Sequence, residues 1–142
     1  KNLCRFIRLS LGLTLATLGQ GEARSVAIGG ILQSTSLASK TVEGQEVLAV
    51  WVFPRLGVSV RNDPRDLRLQ FAGRELRHKP YQGWEAIGFT LNESVRATLL
   101  APVNVNGSLH VSVNALRAMG VPLTVDSPEL LDFAAPHHVP WA

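Results

Sequence analysis

Val103-Asn104-Val105-Asn106-Gly107-Ser108-Leu109-His110-Val111-Ser112-Val113 is the stretch from which the fold can be read. Asn-Gly between alternating apolar residues is the strongest short signal for a β-hairpin, because a type I′ turn needs positive φ at both central residues. His110 alternates with Leu109 and Val111 and is expected to point away from one apolar face. Ser112 then suits a helix N-cap, and Val113, Leu116 and Met119 recur at helical spacing up to Gly120, which suits the residue that closes a helix. The reading is a hairpin running into a short helix, from about 112 to 119, whose apolar stripe lies across the sheet.

The same order of residues occurs earlier in the chain. Residues 42–70 lie over 105–133 at an offset of 63 without a gap, and seven aligned pairs are identical. The matched positions include Val42-Glu43-Gly44 with Val105-Asn106-Gly107, Leu56-Gly57-Val58 with Met119-Gly120-Val121, Asp63 with Asp126, and Leu67 with Leu130. A repeat of this kind restricts architecture more than composition does. Pro54 stands where the second turn of the first helix belongs, so that helix is expected to start near Phe53 with Pro54 in its first turn. Each helix leads into Gly-Val-x-apolar and an Asp turn. After it come Leu67 to Phe71 in one copy, and in the other Glu129 to Phe133, which reads as either a strand or a helical turn.

Elsewhere, Val26 to Leu32 is a β-rich run broken by Gly29-Gly30, as at a hairpin corner or bulge. Leu67, Leu69 and Phe71 alternate with polar residues, and Ala72-Gly73 supplies a turn into Glu75-Leu76-Arg77. Arg61, Arg65, Arg68, Arg74, Arg77 and Lys79 cluster in sequence but are interleaved with Asp63, Asp66 and Glu75, the pattern of a solvated mixed-charge sheet face.

The 142 residues, 46% of them apolar, are enough for one small domain with a core. The N-terminus is built differently. Lys1, Arg5 and Arg8 precede the apolar run from Leu9 to Leu18, and small residues with Gly21-Glu22-Ala23 follow. This is the layout of a secretory signal, with cleavage expected after Ala23; the run is shorter than the roughly 18 apolar residues that cross a bilayer. Removing residues 1–23 takes away Lys1, Arg5, Arg8 and Glu22 and lowers the formal charge from +3 to +1. So neutral a chain offers no electrostatic case for nucleic acid. Cys4, the single cysteine, leaves with the signal, so the expected mature chain has neither disulfides nor cysteine metal sites. Residues 134–142 read as an extended, Pro-rich tail or linker.

Reactive groups do not assemble in the sequence. His78, His110, His137 and His138 lack the spacing of a metal site, and no Gly-x-Ser-x-Gly elbow is present. Asp63, Asp66, Glu85, Glu93, Asp126, Glu129 and Asp132 fall mostly in expected turns, where carboxylates cap the backbone. No catalytic residue, metal site or cofactor is therefore expected. A sugar-stacking surface is conceivable at Trp84 and Tyr81, in Tyr81-Gln82-Gly83-Trp84, with Trp51, Phe89 and Trp141 as further aromatics; packing of Trp84 in the core is the favoured reading.

The run Val105-Asn106-Gly107 through Val113-Asn114-Ala115-Leu116, followed by Met119-Gly120-Val121-Pro122-Leu123, resembles the copper amine oxidase N-terminal-like domain, also called the stalk domain. Ser112 stands where that family usually has Pro, and Asn114 where it often has Arg. The first copy matches through Val42-Glu43-Gly44, Leu48, Val50 and Leu56 to Val60, and the resemblance spans roughly residues 26–133. It implies an attachment or spacer module of bacterial exported proteins, often beside cell-wall hydrolases, without copper or quinone chemistry. The expected fold is α+β: two related units of β-hairpin, short helix and returning strands, about 26–71 and 72–133, packed with antiparallel sheet as one domain over 24–133. The expected function is a non-catalytic, extracytoplasmic envelope module. Its expected partners are peptidoglycan, another envelope polysaccharide or a covalently linked enzyme domain, with no nucleic acid and no membrane span. The alternatives are the N-terminal accessory region of a longer secreted enzyme, such as a peptidoglycan amidase or phosphodiester glycosidase, and a carbohydrate-binding module.

Overall fold

The structure, a computed structural model, describes residues 23–136; the segment before Ala23, with Cys4, and the residues His137, His138 and Trp141 lie outside the described residues. The described chain is mostly antiparallel β-sheet with a few short helices, a small α+β domain. β1 (Ser25–Ile28) and β2 (Ile31–Leu32) form a hairpin across Gly29-Gly30, both at positive φ. β3 (Lys40–Val42) and β4 (Gln45–Ala49) follow, then a 3₁₀ helix Val50–Leu56. Four strands come next: β5 (Ser59–Asn62), β6 (Leu67–Phe71), β7 (Arg74–Lys79) and β8 (Gly83–Ile87). After α1 (Glu93–Thr98) come β9 (Val103–Val105), β10 (Ser108–Ser112), α2 (Val113–Ala118), β11 (Leu123–Asp126) and β12 (Leu130–Phe133).

These strands make three four-stranded sheets, ordered β3-β4-β10-β9, β5-β6-β7-β8 and β11-β12-β1-β2. In the first, the two hairpins meet through β4 and β10, with Leu48 opposite Val111, Val47 opposite Ser112 and Ala49 opposite His110. Both turns are left-handed at two successive residues, Glu43 (φ 49°) with Gly44 (φ 80°) and Asn106 (φ 52°) with Gly107 (φ 85°), as a two-residue hairpin loop requires. One core joins the sheets. Leu48 and Val111 from the first, Leu69, Leu76 and Trp84 from the second, and Leu131 and Phe133 from the third pack with Phe53, Leu56, Leu116 and Met119 of the helices.

Element boundaries recur along the chain. β3 and β4 precede β9 and β10 by 63 residues at both ends, and so do the starts of the two helical segments, Val50 and Val113. The closing strands do not keep that offset. β11 carries a register irregularity between Leu123 and Val125 in its pairing with β12, and Leu123 pairs with Phe133 as Val60 pairs with Leu69. The buried residues of β12 are Leu131 and Phe133, the counterparts of Leu67 and Leu69 at an offset of 64. The gapless match of Leu67 with Leu130 is therefore off by one. An extra residue on one strand of a pair is absorbed as a bulge, and without it every side chain of β12 would change face.

Three further expectations are corrected. Pro54 does not delay the first helix to Phe53; the segment starts at Val50 and is wound as 3₁₀, a tighter helix in which a proline removes one i→i−3 bond from a short run. The sheets do not follow a division at residues 71/72, because β7 and β8 extend the sheet of β5 and β6 while β1 and β2 extend that of β11 and β12. In the latter sheet β1 runs parallel to β12, pairing Ser25 with Leu130 and Ile28 with Phe133. His110, expected to face outward, is buried, and its Nδ1 lies 2.8 Å from the Ser108 carbonyl. Glu129 to Phe133, left open between strand and helix, contains β12.

Gly57 (φ 87°) and Gly120 (φ 86°) end the two helical segments in the left-handed region. Arg74 Nη1 donates to the Met119 carbonyl at 2.9 Å, and a Cβ on Gly120 would lie 2.4 Å from that nitrogen. Gly120→Ala is therefore expected to lower unfolding free energy by about 1–3 kcal/mol in urea denaturation, through backbone strain and displacement of Arg74.

Candidate functional site

The hairpin β7–β8 carries the two aromatic candidates. Lys79 pairs with Gly83, and Gln82 N donates to the Lys79 carbonyl at 3.0 Å, closing a turn in which Tyr81 takes φ 67°. A bulky residue rarely adopts this conformation. Tyr81 is fully exposed. Trp84 is 4% exposed, faces the core beside His78 with ring centroids 5.0 Å apart, and donates Nε1–H to the Leu100 carbonyl at 3.2 Å. Its indole is thus enclosed with its polar atom satisfied, and Trp84 and Tyr81 do not share a platform. Trp51 is half-exposed, with the Arg55 guanidinium 5.4 Å above its ring.

The opposite face of the same sheet carries the charged cluster. Arg61 on β5, Arg68 on β6, Arg77 on β7 and Glu85 on β8 stand in one cross-strand row. Like charges directly opposite one another repel. Here Asp66 lies 3.1 Å from Arg68 Nε and 3.9 Å from Arg77 Nε, and Glu75 accepts from Arg77 Nη2 at 2.8 Å. Gln70 donates to Glu75 at 2.9 Å. The hydrogen bonds from Gln70 and Arg77 hold the Glu75 carboxyl below its ordinary value against a smaller opposing effect of burial. A shallow depression of about 610 Å³ lies at the end of this face, lined by Asp63, Arg65, Arg68, Lys79 and Gln82 among others.

A second polar constellation, partly buried between two sheets, was not legible in the sequence. Arg24, just before β1, forks onto Glu46 of β4: Nε donates to Oε2 at 2.7 Å and Nη2 donates to Oε1. Nη1 reaches Asp126 Oδ1 at 2.5 Å and the Ser127 carbonyl at 2.7 Å. Arg117 of α2 donates to Asp126 Oδ2 at 2.8 Å. Ser39, 1% exposed, donates Oγ–H to Glu46 Oε2 at 2.6 Å and accepts from Arg24 N at 3.0 Å. These contacts tie the sheet of β1 and β12 to that of β3 and β4. Burial pushes the Glu46 carboxyl up, but the hydrogen bonds from Arg24 and Ser39 outweigh it and leave the group below its ordinary 4.5. The same bonding keeps the Arg24 guanidinium charged.

Other candidates are placed separately. Asp63 N donates to the Asp66 carbonyl in the β5–β6 turn, Asp132 accepts from Gly30 N, and Glu93 lies 3.8 Å from Arg96 on α1. Glu85 stands opposite Arg77 across β7 and β8, and the Glu129 carbonyl accepts from Ser25 N at 3.0 Å. Burial lowers the His78 imidazole pKa. Among the described residues, no three His, Cys, Asp or Glu side chains converge to hold a metal ion. No described helix is long and apolar enough to cross a membrane. Comparison with protein-family models, curated proteins and solved structures gives no match, so the stalk-domain resemblance rests on the residues alone.

Two outcomes follow from this geometry. Trp84→Ala is expected to cost about 3–5 kcal/mol in urea unfolding, since it empties a core position, whereas Tyr81→Ala should change stability by less than about 0.5 kcal/mol. A carboxylate whose folded pKa is depressed adds stability above its unfolded pKa and loses it as pH falls through the folded value. The Tm advantage of the native chain over Glu46→Gln should therefore be constant above about pH 5 and shrink as pH is lowered toward about 3, measured by thermal melts across that range.

Proposed function

We propose that the chain is a non-catalytic, exported module of the cell envelope that serves attachment or spacing, built from two versions of one unit. The observation that supports this best is where its charged side chains are spent. On one sheet face Asp66 pairs with Arg68 and Glu75 with Arg77 along the chain, with Asp66 also 3.9 Å from Arg77 on the neighbouring strand, while Arg24, Glu46, Asp126 and Arg117 join one sheet to another. Groups held in such pairs set the relative position of strands, and a rigid spacer needs that more than it needs free acids or bases. Duplication is supported by the recurrence of the hairpins and helix starts at the same offset, with Leu48 facing Val111 at the contact between them. In this reading β7–β8 completes the first unit and β1–β2 stands in the corresponding place beside β12.

A carbohydrate-binding reading draws support from one residue, Tyr81, which is exposed and held at positive φ in a tight turn. Backbone strain retained at an exposed aromatic is a reason to test that turn for binding. Accessory attachment to an enzyme is compatible with either reading.

Expression of the whole chain in a bacterial host should place it outside the cytoplasm; retention inside with residues 1–23 intact would overturn the export reading. Purified exported protein should sediment with isolated peptidoglycan sacculi without releasing soluble fragments. Fragment release abolished by a single point substitution would overturn the non-catalytic reading. Loss of sedimentation in Tyr81→Ala, with Tm unchanged, would assign the contact to the β7–β8 turn.

A further inference from the structure

The residue at the expected export cleavage point is also anchored through both its backbone and its side chain, which makes the new chain end part of the structure. Ala23 is exposed, whereas Arg24 is fixed at its amide, its carbonyl and its side chain. Arg24 N donates to Ser39 Oγ at 3.0 Å, Ser39 N donates back to the Arg24 carbonyl at 2.9 Å, and the guanidinium forks onto Glu46. The exposed Ala23 and the anchored Arg24 therefore meet at one peptide bond. We propose that this bond is a processing site and that the Arg24 α-ammonium it releases is held in a preformed pocket made by Ser39 and Glu46. The inference rests on the export reading and deepens it.

The chemistry balances with water alone. An endopeptidase breaks the Ala23 C–Arg24 N bond, the water oxygen becomes part of the Ala23 carboxylate, and the freed nitrogen takes up protons to become an ammonium. Ser39 Oγ spends its own hydrogen on Glu46 Oε2 at 2.6 Å, so its lone pairs face the nitrogen. An ammonium makes a shorter and stronger hydrogen bond to that oxygen than an amide does. Ser39 Oγ is the group against the nitrogen itself; the charged groups around Arg24 are the carboxylates of Glu46 from β4 and Asp126 from β11, both bonded to its own guanidinium, and the Arg117 guanidinium from α2, which shares Asp126. Ser39 is nearly sealed from solvent, which limits screening of the new charge by water.

The test compares residues 24–142, prepared with a free Arg24 amine, against residues 22–142; both retain every strand from Ser25 to Phe133. The processed form should melt about 4–8 °C higher at neutral pH. An ammonium whose pKa is raised by its partners contributes fully below its unfolded value, about 8, and the gain disappears as pH rises through the folded value. The difference in Tm should therefore close by about pH 10. Ser39→Ala should abolish the gap and Ser39→Thr, which keeps the hydroxyl, should preserve it. Equal melting of the two forms at neutral pH, or a gap unchanged at high pH, would overturn the pocket whether or not the Ser39 variants fold. N-terminal sequencing of the exported chain reads processing independently: a start other than Arg24 overturns the cleavage site even if the pocket behaves as described, and a chain that stays in the cytoplasm overturns the export reading instead.

Discussion

The antiparallel contact between β4 and β10 is the constraint on which the remaining architecture depends. Leu48 and Val111 face each other there and are both fully buried, so neither hairpin can slip without moving its apolar residues off the core. The helical segments leave this sheet directly, at Val50 and Val113, and the core closes around their inner residues Phe53, Leu56, Leu116 and Met119. Ser112 links strand and helix in one residue: its Oγ accepts from Asn114 N at 3.1 Å as the cap and donates to Gln45 Oε1 at 3.0 Å. Gln45 also accepts from Leu100 N at 3.2 Å, which fixes the chain entering the second hairpin.

Local chemistry carried much of this into the sequence. The Asn106-Gly107 and Glu43-Gly44 turns, the Ser112 cap and the glycines closing both helical segments follow from backbone requirements that few residues satisfy. Features that depend on distant partners were not legible. The shift from an offset of 63 to 64 is made by a bulge whose only local trace is Thr124, and it needs β12 to be seen in register. Pro54 by itself points to a first helix delayed to Phe53, whereas the tighter winding from Val50 accommodates it inside the segment. The alternation around His110 showed one buried face, whereas β10 lies in the middle of its sheet and is covered on both.

The same distinction applies to the candidate sites. Trp84 could be weighed as a core residue from composition, but the Leu100 carbonyl that satisfies its indole belongs to a segment beyond α1. Arg24 looked like the first residue after an export segment, and its partners Glu46 and Asp126 lie 22 and 102 positions away. The interleaved charges of residues 61–79 were readable as a sheet face because strand alternation is local. Their pairing shows how a row of three arginines is tolerated, with Asp66 reaching toward two of them.

The parallel pairing of β1 with β12 has a consequence for biogenesis. The first strand of the described fold, Ser25–Ile28, has as its partner the last one, Leu130–Phe133. Loop closure over such a separation is slow, and parallel pairing cannot be nucleated by a hairpin. Among the described residues, a nascent chain therefore lacks the β11-β12-β1-β2 sheet until β12 has been made, so that the two ends of the fold are the last to be joined.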